Sequence, residues 1–480
     1  MNPLAPNTRS PQAEDLRTLF DMQQATRWSL VSTTAEERKA KLKRLAGAIR
    51  SRREAIGQAI REDFRKHADE TELTEISPTL EEIGYAIRHL DSWMRPRRVP
   101  TPLTIAGGTS RIRYEPKGRV LILSPWNYPF FLAVTPLMSA VAAGNCVILR
   151  PSDKVPQTAR LLHELIAEVF PPTEVAVVLG GHAVADALLE LPFDHILFTG
   201  STAVGRKVMA AAAVHLASVT LELGGKSPAV VDETADLAAA AERIAWGKFI
   251  NAGQTCVAPD YVLVQKGVAE RLAGLIGKTI ERFYGPGEAE RLASDSLASL
   301  VDGRSLTRLE AALGSTIAAG AVLVTGGQSD RERRRLAPTL LADVPKDSPI
   351  MAEEIFGPVL PLLSYDTLDE AMEIIRARPK PLAMYLFSRS DRNIERLLTL
   401  TTSGGATVNN TILHLANPNL PFGGVGESGM GAYHGRFGFE TFSHARAVYR
   451  QRFPTAVRML YPPYGPKTRR FLGFLRRLSG

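Results

Sequence analysis

Cysteine is nearly absent: the 480 residues hold two, Cys146 and Cys256, far apart in the chain. That excludes a disulfide framework or a thiolate metal cluster, and it fits a reducing compartment. The nine histidines are scattered without ligand spacing, so no metal site is expected. The N-terminal MNPLAPNTRSPQAEDLRTLF lacks the apolar core of a secretory signal, and a cytoplasmic location is expected. Charge is missing from Val120 to Leu149, VLILSPWNYPFFLAVTPLMSAVAAGNCVIL. Length alone suggests a membrane span there, but Pro125, Pro129, Pro136 and the Gly144–Asn145 pair disrupt a lipid-facing helix. Buried strand, loop, helix, turn and buried strand is the expected order. A strong charge imbalance is also lacking. The net charge of +8 reads as a solvated basic surface. Lys and Arg are dispersed without a recognised nucleic-acid module, so no nucleic-acid partner is expected.

What is present is ordinary for a soluble chain, with 45% apolar and 22% charged residues. The length suggests about two or three domains. Residues 13–65 and 77–94 carry helical patterns. TIAGGTSRIRYEP (104–116) reads as a hairpin around Gly-Gly. From residue 117 short apolar strands alternate with helices: RVLILS (119–124), CVILR (146–150), VAVVLG (175–180) and HILFTGS (195–201) are strands. A second run of this kind starts near VTLELGG (219–225) and extends to about residue 415. Alternation of this kind implies βαβ units and an α/β fold with parallel sheets.

Four stretches carry candidate chemistry. FTGSTAVGRKVM (198–209) is a strand that ends in Gly-Ser-Thr and runs into a helix. It is an ordinary βα turn or a pyrophosphate site at a helix N-terminus, with Gly200 allowing close approach and Gly205 tight packing. In SPWNYP (124–129), Trp126 and Tyr128 read as core aromatics capping a sheet, while Asn127, at a strand end that faces the usual ligand crevice, is a potential oxyanion donor. Glu222 in LELGGKSP (221–228) is a solvent-facing or paired strand glutamate, or a buried carboxylate of raised pKa that acts as a base. Cys146 lies within a strand and reads as a small apolar filler. Cys256, in the polar loop NAGQTC, is a filler or a nucleophile whose pKa is lowered by backbone N–H groups.

Together with EEIFGPVLP (353–361) and LPFGGVGESGMGAYHG (420–435), these stretches resemble, in order and approximate spacing, the NAD(P)-dependent aldehyde dehydrogenase superfamily. The resemblance covers about residues 15–465. The short N-terminus and the ending GMGAYHG…FETFSH resemble the class 3 branch. PTLEEIGYAIRHLDSWMRPRRVP, LPFDHILFTGSTAVG and NAGQTCVAPDYVLV are most similar to bacterial coniferyl aldehyde dehydrogenases.

The resemblance implies an aldehyde dehydrogenase-like α/β fold. A Rossmann-type cofactor domain (1–99 and 117–222) and an α/β catalytic domain (223–418) are joined by a small β oligomerisation element (100–116 and 440–455). A basic amphipathic tail (456–480) follows. It implies that Cys256 attacks the aldehyde, Asn127 and the Cys256 N–H hold the oxyanion, and Glu222 activates water against the thioester. Cofactor contacts are implied at Ser124, Pro125, Trp126, Arg150, Asp153, Gly200, Ser201, Gly205, Leu223, Glu354 and Phe356. One departure concerns RPSD (150–153), where the family usually has Lys-Pro-Ser-Glu. An acidic residue there favours NAD, which is expected, but Asp153 is one methylene shorter than Glu and excludes a 2′-phosphate less firmly, and Arg150 can accommodate NADP. The expected substrate is a hydrophobic aldehyde, coniferyl or a related aryl aldehyde. Medium- or long-chain fatty aldehydes and a coenzyme A-acylating reaction are the alternatives, and Glu222 argues against the last. A homodimer is implied. In the tail, Phe471, Phe474/Leu475 and Leu478 follow helical spacing among Arg469, Arg470, Arg476 and Arg477. That pattern fits weak contact with a membrane surface or packing on the protein itself.

Overall fold

The structure, a computed structural model, describes residues 12–451, 457–458 and 461–479. The ends of the expected oligomerisation element and tail, including 452–456 and the Leu478 side chain, lie outside the described residues, as do residues 1–11 of the first expected domain. Two open α/β sheets dominate. The first has six strands, ordered Gly429–Met430, Ser218–Glu222, His195–Thr199, Arg119–Leu123, Cys146–Arg150 and Val175–Val177. All neighbours are parallel except the first pair. The second has seven strands, ordered Val322–Thr325, Thr339–Ala342, Val359–Tyr365, Tyr261–Gln265, Pro228–Val231, Ala383–Phe387 and Gly405–Val408. Only its first pair is antiparallel. The segment Ser218–Glu222 closes the first sheet and does not open the second, as the sequence pattern suggested, because it pairs with His195–Thr199 along its whole length.

The charge-free segment is accounted for by burial. Every residue from Phe130 to Arg150 is buried, with helix Phe131–Ala143 between two neighbouring strands. Helices from Ala35 to Met94 and Pro156–Val169 share its side of the sheet, through residues such as Leu42, Ile49, Ile83 and Leu162. Leu16, Phe20, Val184 and Val208 from other helices cover the opposite face. With both faces covered, near-continuous apolar strands are what a parallel sheet requires. Each fully buried Leu, Ile or Val contributes about 1.5–3 kcal/mol. The helix stops at Gly144, with φ of +91, where a Cβ would come within 2.5 Å of the Arg38 guanidinium. Arg38 in turn donates to the Ala142 carbonyl at 3.1 Å, one of the acceptors left open at that helix end.

A three-stranded antiparallel sheet is built from Arg97–Val99, Gly108–Pro116 and Ser443–Gln451. The expected hairpin within 104–116 is corrected: Leu103–Ile105 form a 3-10 turn, and the partner of Gly108–Pro116 is Arg97–Val99. Gly108 is required by packing, since a Cβ there would lie 2.3 Å from the Tyr449 ring. No described helix is long and apolar enough to cross a membrane.

Candidate functional site

The six-stranded sheet changes direction at Arg119–Leu123: later strands go first to one side of it and then to the other. Ligands of open α/β sheets sit in the crevice beyond the strand C-termini at such a point. Ser124, Pro125 and Trp126 follow one of these ends, and Gly200 and Ser201 follow its neighbour. Helix Thr202–Val214 begins at exposed Ser201 with no side-chain cap and no acid in its first turn. Its free N–H groups and positive end suit an anion. A Cβ at Gly205 would sit 2.7 Å from Leu223, so that glycine sets the approach of helix to strand. At Gly200 a Cβ would strike the Phe198 ring, at 2.5 Å.

Arg150 and Asp153 are paired at 2.9 Å. Arg150 also donates to the Gly180 carbonyl through Nε at 3.0 Å and Nη2 at 2.6 Å. It therefore braces the crevice floor and holds Asp153, which is 44% exposed. Trp126 meets Phe356 edge to face, with centroids 5.2 Å apart. Phe356 has a φ of +50, a strained value for an aromatic residue. Glu354 crowds Gly224, where a Cβ would be 1.9 Å from its carboxylate oxygen. Burial and then Asp260 push the Glu354 carboxyl up to about 8.

The thiol loop follows helix Leu237–Phe249. Asn251, Ala252 and Gly253 take φ of +53, +52 and +74 in succession, and a Cβ at Gly253 would strike the Gly357 carbonyl at 2.3 Å. Left-handed non-glycine residues cost about 1–2 kcal/mol each, so the loop needs anchors. Asn251 Nδ2 donates to the Asn127 carbonyl at 2.8 Å, and its N–H donates to Glu70 at 2.8 Å. Gln254 donates to the Asn251 and Ser299 carbonyls at 3.1 Å each and accepts from the Val301 N–H at 2.9 Å. The Asn127 side chain donates to the Gln254 carbonyl at 3.0 Å. One of its two N–H bonds is thus fixed, which orients the amide beside the loop.

Cys256 is partly buried at the end of this loop. Burial, then the Glu354 and Glu222 carboxylates, push its thiol up to about 12. The backbone N–H groups of Cys256 and Val257 act in the expected lowering direction, but burial outweighs them. Glu222 is 2% exposed, and neither carboxylate oxygen has a hydrogen-bond partner among the described residues. Burial alone drives its pKa well above the usual carboxylate range. Cys146 lies at the start of its strand, fully buried, donating at 3.6 Å to the Gln23 carbonyl.

Several supports carry no signal in the sequence. Lys66 and Glu75, both fully buried, pair at 2.7 Å. Glu75 accepts the Phe130 and Phe131 N–H groups at 2.9 and 3.3 Å, and Lys66 stands 4.4 Å over the Tyr128 ring. The pair thus fixes the entry of helix Phe131–Ala143 directly behind Asn127. Lys66→Met leaves Glu75 charged and unpaired, and the expected loss is about 3–5 kcal/mol in denaturant unfolding.

A cavity of about 520 Å³ leads to Cys256, within the usual range of roughly 300–1,000 Å³ for ligand pockets. Leu73, Phe131, Trp246, Ile412 and Phe422 make most of it apolar.

The aldehyde dehydrogenase family model matches residues 7–448. The 4,4'-diaponeurosporen-aldehyde dehydrogenase of Staphylococcus aureus is 45% identical over 441 residues, covering 92% of this chain and 94% of that protein. A probable coniferyl aldehyde dehydrogenase of Pseudomonas aeruginosa is 44% identical over 456 residues, covering 95% and 94%. Among solved structures, the substrate-bound state of Staphylococcus aureus AldH has a TM-score of 0.92 at 42% identity, covering 96% of this chain and 99% of that one. An indole-3-acetaldehyde dehydrogenase in complex with NAD+ has a TM-score of 0.84 at 26% identity, covering 92% and 90%.

Proposed function

The chain belongs to the aldehyde dehydrogenase family, and from that premise we propose that it oxidises a hydrophobic aryl aldehyde of the coniferyl type through covalent catalysis at Cys256. The observation that carries this reading is the apolar cavity, which ends at the thiol. The similarity to a probable coniferyl aldehyde dehydrogenase supports the aryl class.

Cys256, once deprotonated, attacks the carbonyl carbon and forms a thiohemiacetal. The free N–H of Asn127 and the Cys256 backbone N–H face the resulting oxyanion. Collapse re-forms the carbonyl as a thioester, and the aldehyde hydrogen leaves with its electron pair to the acceptor that bound NAD would supply. Glu222 takes a proton from water, whose oxygen attacks the thioester and releases the acid and the thiol.

NAD fits the residues present, as the NAD+ complex of a related structure supports. The uncapped helix at Ser201 suits its pyrophosphate, and Trp126, Phe356 and Glu354 line the inner crevice. When bound, it supplies the hydride acceptor and a positive charge. Asp153 opposes a 2′-phosphate by like charge. Asp153→Ser is expected to raise the NADP-to-NAD ratio of kcat/KM by about tenfold, measured as reduced-cofactor formation with each.

A homodimer is assigned to the three-stranded sheet, whose strand Ser443–Gln451 presents a largely exposed edge. Tail helix Pro466–Ser479 keeps Phe474 57% exposed beside exposed Arg477, in keeping with a weak membrane-surface contact.

The test is NADH formation from coniferyl aldehyde, with and without coenzyme A. Turnover in its absence, yielding free acid, is expected. Obligatory dependence on coenzyme A overturns hydrolysis, and no turnover of aryl aldehydes overturns the substrate class.

A further inference from the structure

The cavity wall is mostly apolar, and among its polar residues Glu82, Tyr433 and His434 come together. His434 is 2% exposed and Tyr433 is fully buried. The Tyr433 hydroxyl and both ring nitrogens of His434 have no hydrogen-bond partner among the described residues. Glu82 approaches His434 Nδ1 only to 3.6 Å, and its other oxygen accepts the Gly435 N–H at 3.0 Å. The Leu415 carbonyl lies near the ring and favours its protonation without closing a hydrogen bond. Aromatic rings surround the imidazole: Tyr433 at 4.5 Å, Phe422 at 5.1 Å and Phe131 at 5.8 Å between centroids.

A buried polar group without a partner costs about 1–3 kcal/mol. The backbone adds to that cost, since His434 has a φ of +82 in the left-handed region. Such outliers persist where the surroundings hold them, and they cluster at ligand sites. Burial pushes the His434 pKa down to about 4. The ring is neutral near pH 7 and offers one N–H donor and one lone pair. Tyr433 adds a hydroxyl able to donate or accept.

From this juxtaposition of unpartnered Tyr433 and His434 atoms beside Glu82 on the cavity wall, we propose that His434 and Tyr433, backed by Glu82, receive a hydroxyl group on the substrate's aromatic ring. The inference rests on the aryl-aldehyde reading above and narrows it to phenolic aldehydes. The phenol oxygen accepts from one of the two side chains and its proton goes to the other. A ring without the hydroxyl leaves both as unpaired as they are in the protein alone, whereas the phenol satisfies them. A site built to bond a hydroxyl discriminates against the analogue lacking it more strongly than an apolar pocket discriminates by size. His434 and Tyr433 are thus specificity-determining residues, set apart from Cys256 and Glu222.

The test compares 4-hydroxycinnamaldehyde with cinnamaldehyde, a pair differing by one hydroxyl, in the full-length enzyme with NAD. The readout is the ratio of their kcat/KM values. The wild-type ratio is expected to be about tenfold to a hundredfold in favour of the phenol. His434→Phe, which keeps a ring in the cage, is expected to bring the ratio close to one. His434→Gln, which restores a donor and an acceptor, should recover part of the preference, and Tyr433→Phe should lower it severalfold. A wild-type ratio near one overturns the proposal while leaving the aryl-aldehyde reading intact, and that measurement needs no variant to fold. A preference that survives His434→Phe unchanged also overturns it. Failure to oxidise either aldehyde overturns both readings.

Discussion

Replacing Cys256 with alanine abolishes aldehyde-dependent NADH formation, with an expected fall in kcat of at least about 10⁴-fold. The loss follows from chemistry and not from collapse of the site. The loop is anchored by Asn251, Gln254 and Asn127, none of which bonds to the thiol. Alanine in place of a partly buried cysteine removes one sulfur atom and leaves the anchors intact. A thermal melt close to wild type alongside absent turnover is the expected pair of results. Normal turnover by this variant refutes covalent catalysis. The same geometry sets the reactivity of the thiol in the enzyme alone. Burial raises the pKa of the thiol to about 12, so the thiolate is scarce at neutral pH. Alkylation of the free enzyme by iodoacetamide is therefore slow near neutrality and rises about tenfold for each pH unit.

Glu222→Gln separates the two halves of the reaction. The variant should release about one NADH per active site in a burst and then turn over about 10²- to 10⁴-fold more slowly than wild type. Glutamine keeps the size of the side chain and suits a buried position better than a carboxylate without partners. Folding is therefore preserved while the base is lost. The pH profile carries the sign. The raised pKa of Glu222 means its base form is scarce in the ordinary carboxylate range. Deacylation in the wild type accordingly climbs with pH through a value well above that range, and the climb is lost in the variant. Loss of the burst with deacylation still fast assigns Glu222 to hydride transfer instead.

Much of this was legible in the sequence, for identifiable reasons. The central strands of the first sheet are near-continuous apolar runs because both faces are covered, and their ends fall within a few residues of the composition breaks. NAGQTC marks the thiol loop through residues whose amides and glycine the turn consumes. The Gly-Gly at 107–108 misled because glycine serves two purposes. Gly107 turns the chain with a φ of +94, while Gly108 makes room for Tyr449 from far along the sequence. Lys66 and Glu75 were invisible for a related reason. The connection after helix Arg53–Phe64 that holds Lys66 and the helical turn Glu72–Ile76 that holds Glu75 look solvated when read singly, and only the packed structure brings the two charges together in the core. The polar notch at His434 was equally hidden, since a histidine after GMGAY shows neither its strained φ nor its bare nitrogens.

The pairing of Gly429–Met430 with Leu221–Glu222 has a consequence for how the enzyme is made. The strand that ends in the proposed base stays at an unfinished sheet edge until a segment about two hundred residues later emerges from the ribosome. At about 5–20 residues per second, that is a wait of roughly 10–40 s with an apolar edge exposed. Sequence-distant pairings of this kind slow folding and invite association with other chains. Nascent chains stalled before residue 429 should therefore be aggregation-prone and bound by chaperones, whereas chains released beyond it mature to solubility.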